Sequence, residues 1–237
     1  MLDLNSLAII VPARGGSKRV PLKNIRALGG RPLLEYTLVS AIDAKLSRNI
    51  VVSTDSDEIF AVAEKFPARV VRRPDALSGD SISTEAAVLH ALDALAADGQ
   101  TFEWVMILPP TSPFRSAETV KRFAETAQNS TEAVANFISV TENRDYFWKA
   151  GRGGSMTPAD PSLSRRQQER PPLFLENSAI YLCRVNRLRE TGIVFSDPVV
   201  GIPISAIEAW DINTEEDFSI ADGIWEGIAR LRTGNAG

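Results

Sequence analysis

The residues of this chain that can do chemistry are concentrated in three turns and one acidic segment. The first turn, Arg14-Gly15-Gly16-Ser17-Lys18-Arg19, follows the apolar run Ala8-Ile9-Ile10-Val11-Pro12. Paired glycines let backbone N–H groups close on an oxyanion without side-chain obstruction, and Arg14 and Lys18 add positive charge. Residues 4–34 carry six Lys or Arg (Arg14, Lys18, Arg19, Lys23, Arg26, Arg31) and no Asp or Glu, in a chain whose net charge is -4. The positive charge is therefore placed locally. The turn matches neither G-x-G-x-x-G nor G-x-x-x-x-G-K-[ST], so the dinucleotide and P-loop fingerprints fail. A cationic, glycine-bearing turn after a strand still implies phosphate binding. Lys23 and Asn24 lie too far along for the same turn, but a loop folding back would bring them to the same ligand.

The acidic segment, Glu208-Ala209-Trp210-Asp211-Ile212-Asn213-Thr214-Glu215-Glu216-Asp217, lies near the other end. Thr214 with Asp217 three residues later resembles a capping box, and Glu215 and Glu216 suit a helix N-terminus. Asp211 is left without such a reason, with Asn213 on the same side of an extended segment. Two oxygen ligands at that spacing suit Mg2+, which takes few protein ligands and completes its shell with phosphate and water. Between these ends, Arg72-Arg73-Pro74 leads to Ser81-Ile82-Ser83-Thr84. One of those hydroxyl residues is expected to cap a helix whose N-terminus attracts anions. In Pro109-Pro110-Thr111-Ser112-Pro113-Phe114-Arg115, three prolines fix the turn and Thr111, Ser112 and Arg115 are its donors. In Asp55-Ser56-Asp57, Asp57 reads as a helix start, with Asp55 near a nucleotide. His90 falls off the apolar stripe of its helix and is expected to be solvated.

These turns need a scaffold that brings them to one edge. Strand-like runs at 7–11, 50–53, 69–71 and 104–108 alternate with amphipathic stretches at 33–45, 57–66, 84–97 and 117–127. Continuous apolar strands in that rhythm predict the α/β class, a mostly parallel twisted sheet flanked by helices. Ligands then bind beyond the carboxyl ends of the strands. The rhythm breaks after Val140. Residues 141–173 hold three glycines and four prolines with few apolar residues, which suits a lid, an arm or a subunit contact. Strand signals return at 179–182 and 199–204. A last helix aligns Phe218, Ala221, Trp225, Ile228 and Leu231. The expected organisation is one domain over residues 1–237 with an arm at about 141–175.

Composition narrows the function classes. A chain of 237 residues with 44% hydrophobic content can bury a full core. One cysteine, Cys183, excludes an internal disulfide and a cysteine metal cluster, and its apolar surroundings predict a buried strand residue. Neither a membrane span nor a signal peptide is expected, so the cytoplasm is the expected compartment. With basic charge confined to short patches, nucleic acid is not expected as a partner.

Arg14-Gly15-Gly16-Ser17-Lys18 with Lys23-Asn24, the segment from Arg73-Pro74 to Thr84, Pro110-Thr111-Ser112-Pro113 with Arg115, Asn177-Ser178-Ala179-Ile180-Tyr181, and Asp211-Ile212-Asn213-Thr214 occur in an order similar to that of the acylneuraminate cytidylyltransferases. The chain resembles this family over about residues 8–222. The resemblance implies a nucleotidyltransferase, usually dimeric, that joins CTP to a nine-carbon 2-keto acid sugar with Mg2+ and releases pyrophosphate. It implies a CTP site at Arg14, Gly15, Gly16, Ser17, Lys18, Lys23, Asn24, Arg73 and Thr84, with Arg14, Lys18 and Asp211 catalytic. It implies a sugar site at Thr111, Ser112, Arg115, Arg166, Gln167 and Tyr181, and metal ligation by Asp211 and Asn213. The segment after Val140 would be a dimer arm that helps build the sugar pocket. Three positions depart from the family pattern: Pro109 stands for a glutamine, Asn213 for a second aspartate and Ser178 for a glycine. Three rivals remain. A 3-deoxy-octulosonate cytidylyltransferase typically opens with Pro-Gly-Lys-Pro, where this chain has Pro21-Leu22-Lys23-Asn24. The others are a non-catalytic sensor of CTP or sugar nucleotides, and a glycosyltransferase using Asp55-Ser56-Asp57.

Overall fold

A computed structural model describes residues 2–79, 81–131 and 133–234. Its elements are β1 (Leu7–Pro12), β2 (Ala27–Leu28), β3 (Arg31–Pro32), α1 (Leu33–Ala44), β4 (Ile50–Thr54), α2 (Asp57–Ala63), β5 (Arg69–Arg72), α3 (Thr84–Ala97), β6 (Trp104–Ile107), α4 (Ala117–Gln128), β7 (Asn136–Asn143), β8 (Trp148–Ala150), β9 (Met156–Pro158), β10 (Leu173–Arg184), α5 (Val185–Thr191), β11 (Val199–Pro203) and α6 (Glu215–Gly234). Seven strands form one sheet in the order β11-β7-β10-β6-β1-β4-β5. All run parallel except β10, which lies antiparallel between β6 and β7. The mostly parallel sheet flanked by helices is as expected. β1, β4, β5 and β6 and the helices α1 to α4 fall within about three residues of the expected bounds, the margin at which element ends fray.

Alternation along β1 builds a layer on each face. Leu7, Ile9 and Val11 pack with Leu34 and Leu38 of α1 and Phe123 of α4. Ala8 and Ile10 pack with Val88, Leu92 and Leu95 of α3. A buried strand that presents apolar residues to both faces must read as a continuous apolar run. A third cluster joins Val20, Leu28 and Leu33 to Ile212, Phe218 and Ala221, and so fastens the acidic segment against the N-terminal loop.

Serine caps set the helix starts at the strand carboxyl ends. Ser56, Ser83 and Ser116 accept from the backbone N–H of Ile59, Ala86 and Thr119 and open α2, α3 and α4. Asp57 thus begins a helix, as expected. Thr214 and Asp217 form the expected box at α6, Asp217 Oδ2 accepting from the N–H groups of Asn213 and Thr214. β4 and β5 lie to one side of β1 and β6 to the other, so a crevice opens between β1 and β6 at their carboxyl ends.

Besides β2, β3 and α5, which the expected rhythm did not include, two regions differ from expectation. β7 was not anticipated, because Asn136, Ser139 and Thr141 interrupt its apolar pattern. Asn136 and Ser139 are nonetheless fully buried, bonded to Ser196 and to the Ile180 N–H. The segment after Val140 contains the paired strands β8 and β9, and β10 begins inside it, well before residue 179.

Candidate functional site

The crevice is a cavity of about 620 Å³ walled by all three turns and the acidic segment. The N-terminal loop turns back at Leu22, whose φ of 52° is left-handed. That reversal brings Lys23 and Asn24 to the cavity, as a folded-back loop would. Asn24 is buried and donates through Nδ2 to the Arg14 carbonyl at 2.8 Å, closing the loop on itself. Gly15 donates its N–H to Asp55 Oδ1 at 2.8 Å. Asp55 therefore anchors the loop to the end of β4. The Gly15 Cα packs so close to Ser56 that a side chain there would collide, whereas Gly16 has open space around it. Neither glycine lines the cavity; Arg14, Ser17, Lys18 and Arg19 do. Arg14 also reaches the Gly79 carbonyl. Asp80 lies outside the described residues.

Arg73 enters from the end of β5, nine-tenths buried. Its Nη2 donates to the Ser53 carbonyl at 2.8 Å and its Nε has no partner among the described residues. Burial lowers its pKa, Asp55 opposes that shift and Arg14 adds to it. Ser83 caps α3 and Thr84 is its first residue; both face the cavity. The positive end of the α3 dipole thus faces the same space as Lys18.

The acidic segment closes the ring. Ile212 donates its N–H to the Thr111 carbonyl and its carbonyl accepts from Lys23 Nζ at 2.7 Å. Burial lowers the Lys23 pKa, while Asp211 pulls it the other way. Asp211 and Asn213 line the cavity. Asn213 donates from Nδ2 to Asp211 Oδ2, and its Oδ1 accepts from Arg19 at 3.4 Å. No group of three His, Cys, Asp or Glu suited to a metal occurs among the described residues. The Asp211–Asn213 set is all oxygen with one carboxylate. That fits a hard cation whose remaining ligands are phosphate and water. Glu208 has other work: burial tends to raise its pKa, but hydrogen bonds from Ser116 and Thr119 outweigh this and hold it low.

The far end of the cavity is formed by Pro109, Pro110, Thr111, Ser178 and Tyr181. Ser178 has a φ of 58°, a left-handed conformation that glycine adopts without strain. The Tyr181 hydroxyl donates to Glu176 at 2.5 Å and lies 3.1 Å from Ser178 Oγ. Burial, then the bond to Glu176, raise its pKa above the usual value.

Several expected site residues lie elsewhere. Ser112 and Arg115 are buried and do not line the cavity. Arg115 is a cation that burial lowers to about 9 against the pull of Glu208, so it stays charged at neutral pH. Arg166 is exposed and pairs with Glu169, and Gln167 opens a short turn; both lie on the segment after Val140, away from this cavity. His90 is half-buried with Nδ1 shielded and without a partner among the described residues, so it is not the solvated residue expected. Sequence reasoning left out Arg19, although it belongs to the same basic run, and Glu176, whose role depends on Tyr181 lying beside it.

Residues 8–189 match the family model described as cytidylyltransferase. The chain is 30% identical over 225 residues to the CMP-N,N'-diacetyllegionaminic acid synthase of Legionella pneumophila (strain Philadelphia 1), covering 92% of this chain and 95% of that protein. It is 34% identical over 215 residues to the N-acylneuraminate cytidylyltransferase of Escherichia coli O18:K1:H7, covering 90% of this chain and 50% of that protein. In fold it is similar to the structure of CMP:2-keto-3-deoxy-manno-octonic acid synthetase complexed with CTP, at a TM-score of 0.70 and 13% identity, covering 94% of this chain and 99% of that one.

Proposed function

Since the chain belongs to the cytidylyltransferase family, we propose that it transfers CMP from CTP to a nine-carbon 2-keto acid sugar, releasing pyrophosphate. The observation that carries this reading is the convergence of the cationic loop, the α3 N-terminus and Asp211 on one cavity. Arg14, Lys18 and Arg73 hold the triphosphate, with Ser17, Lys23, Asn24 and Thr84 around it. In phosphoryl transfer the protein supplies chiefly positioning and charge stabilisation, which these groups provide. The anomeric hydroxyl of the sugar attacks the α-phosphorus. A new P–O bond forms, the bond to the β-phosphate oxygen breaks, and the hydroxyl proton leaves to solvent; no general base is assigned. Asp211, with Asn213, holds Mg2+. The bound ion supplies charge neutralisation to the phosphate oxygens.

The sugar occupies the end of the cavity near Thr111, Ser178 and Tyr181. Arg166 and Gln167 do not line the cavity of their own chain, and in this reading a second copy brings them to the sugar, so that a homodimer completes the pocket through the arm. The exposed Phe147, Trp148, Phe174 and Leu175 on that segment supply an apolar surface for it. No helix among the described residues is long and apolar enough to cross a membrane; a cytoplasmic enzyme without nucleic-acid or membrane partners is the reading adopted. The glycosyltransferase rival loses its Asp-x-Asp pair, since Asp55 anchors Gly15 and Asp57 pairs with Arg72.

The test is pyrophosphate release from CTP and Mg2+ with sialic, legionaminic, pseudaminic and 3-deoxy-octulosonic acids, with UTP and ATP alongside. Release with a nonulosonic acid and CTP is expected. Release with 3-deoxy-octulosonate alone would favour the eight-carbon rival. CTP binding without release would favour a sensor.

A further inference from the structure

β6 and β10 pair only as far as Ile107 and Tyr181. Beyond that point β6 runs into Pro109 and Pro110, which have no N–H to continue a ladder. On its other side β10 loses register with β7 between Glu176 and Tyr181, where Ser178 takes its left-handed conformation. Neither lip of the cavity's far end is therefore held by a backbone ladder; across the bulge β7 reaches β10 through Ser139, which accepts from the Ile180 N–H, and Thr141, which accepts from Asn177 Nδ2. Arg115 bridges the two lips. Its Nη1 donates to the Ala179 carbonyl at 2.5 Å and to the Pro109 carbonyl at 3.3 Å, and its Nη2 donates to Thr37 Oγ1 at 3.0 Å, fixing the pair to α1. The side chain is 3% exposed. A planar guanidinium reaches these two carbonyls and the hydroxyl from two nitrogens held at a fixed separation, whereas an ammonium offers its three donors from one rotating point.

We propose that Arg115 is a positioning residue: in place of the missing ladder it sets the spacing between the Pro109–Pro110 turn and the Ser178 bulge, and so the shape of the acceptor end of the cavity. It acts through those backbone carbonyls and touches neither nucleotide nor sugar. The inference rests on the reading above that this end takes the acceptor sugar. The hydrogen-bond partners of Arg115, Ala179, Pro109 and Thr37, are not among the residues Arg14, Lys18 and Arg73 that build the phosphate end.

Arg115→Lys tests this. Its KM for the acceptor acid should rise about tenfold or more while its KM for CTP stays within about twofold, because the variant displaces the acceptor lips and leaves in place the bonds that close the phosphate loop. The same loss should appear with the acceptor's carboxamide, since no bond from Arg115 to the carboxylate is lost. A loss confined to the acid would make Arg115 a direct sugar ligand and overturn the proposal. So would an equal rise in both KM values, or no change in either. If Arg115→Lys does not fold, Thr37→Val, which removes one acceptor of the clamp, should give the same split at about threefold; unchanged constants there would contradict it. Should the wild type release no pyrophosphate with any acceptor, the functional reading fails while the clamp is still tested by hydrogen exchange. Residues 177–182 should exchange at least about tenfold faster in the variant with 7–24 unchanged, and an unchanged pattern would overturn the clamp.

Discussion

Alanine at Gly15 would place a Cβ 2.7 Å from the Ser56 Cβ. Carbon atoms pack at about 3.5–4.0 Å, so the loop must retreat by about 1 Å. Ser56 is held in place, because its Oγ caps α2 and bonds to Glu58. The retreat breaks the 2.8 Å bond from Gly15 to Asp55, a hydrogen bond to a charged group of about 1.5–3 kcal/mol. It also carries Arg14, Ser17 and Lys18 away from the positions they need, and a displacement of that size costs about 100-fold in rate. Gly16 supplies the control: nothing lies within 4 Å of a Cβ built there. Steady-state pyrophosphate release should give a kcat/KM for CTP about 100-fold below wild type for Gly15→Ala and within about threefold for Gly16→Ala. Equal losses in the two variants, or near-normal turnover in Gly15→Ala, would refute the reasoning.

Other outcomes follow from the same geometry. Lys18→Ala and Asp211→Ala should each lower turnover at least about 100-fold, as expected for one lost transition-state charge contact; near-normal rates in both folded variants would defeat the assignment. Gly29 has a φ of 55° and a Cβ there would sit 2.1 Å from the Trp225 ring, so Gly29→Ala should cost about 3 kcal/mol. Calorimetry should then record a Tm lower by about 6–12 °C, and a Tm within 2 °C or so of wild type would contradict it. Burial pushes the Cys183 thiol up to about 12, so iodoacetamide at about pH 8 should leave it unmodified until the chain is unfolded; rapid labelling of the native protein would show the strand to be open.

Much of this was legible in the residues because single local rules applied. The run before Pro12 had to be a buried strand, Asp57 had to begin a helix, one hydroxyl residue within 81–84 had to cap another, and Thr214 with Asp217 had to open α6. That the cationic loop opens onto a cavity was legible because a glycine-bearing turn directly after a buried strand lies at the sheet's carboxyl edge. Arg115 was not, since a guanidinium after a proline turn reads the same whether it faces ligand or backbone carbonyls. Only its burial against Thr37 and Ala179 separates the two. β7 was missed because its polar residues are satisfied by distant partners, Asn136 by Ser196 and Ser139 by Ile180, and pattern alone cannot report such pairs. Arg166 and Gln167 lie on the exposed segment after Val140, and residue type alone does not report their distance from the cavity.

Crystals grown with CTP and Mn2+ test the central claim most directly, because the metal's anomalous signal marks its position without assumption. The account predicts one peak beside Asp211, with the triphosphate lying between it and the side chains of Arg14 and Lys18. A nucleotide bound with its phosphates away from that loop, or a metal peak remote from Asp211, would contradict it.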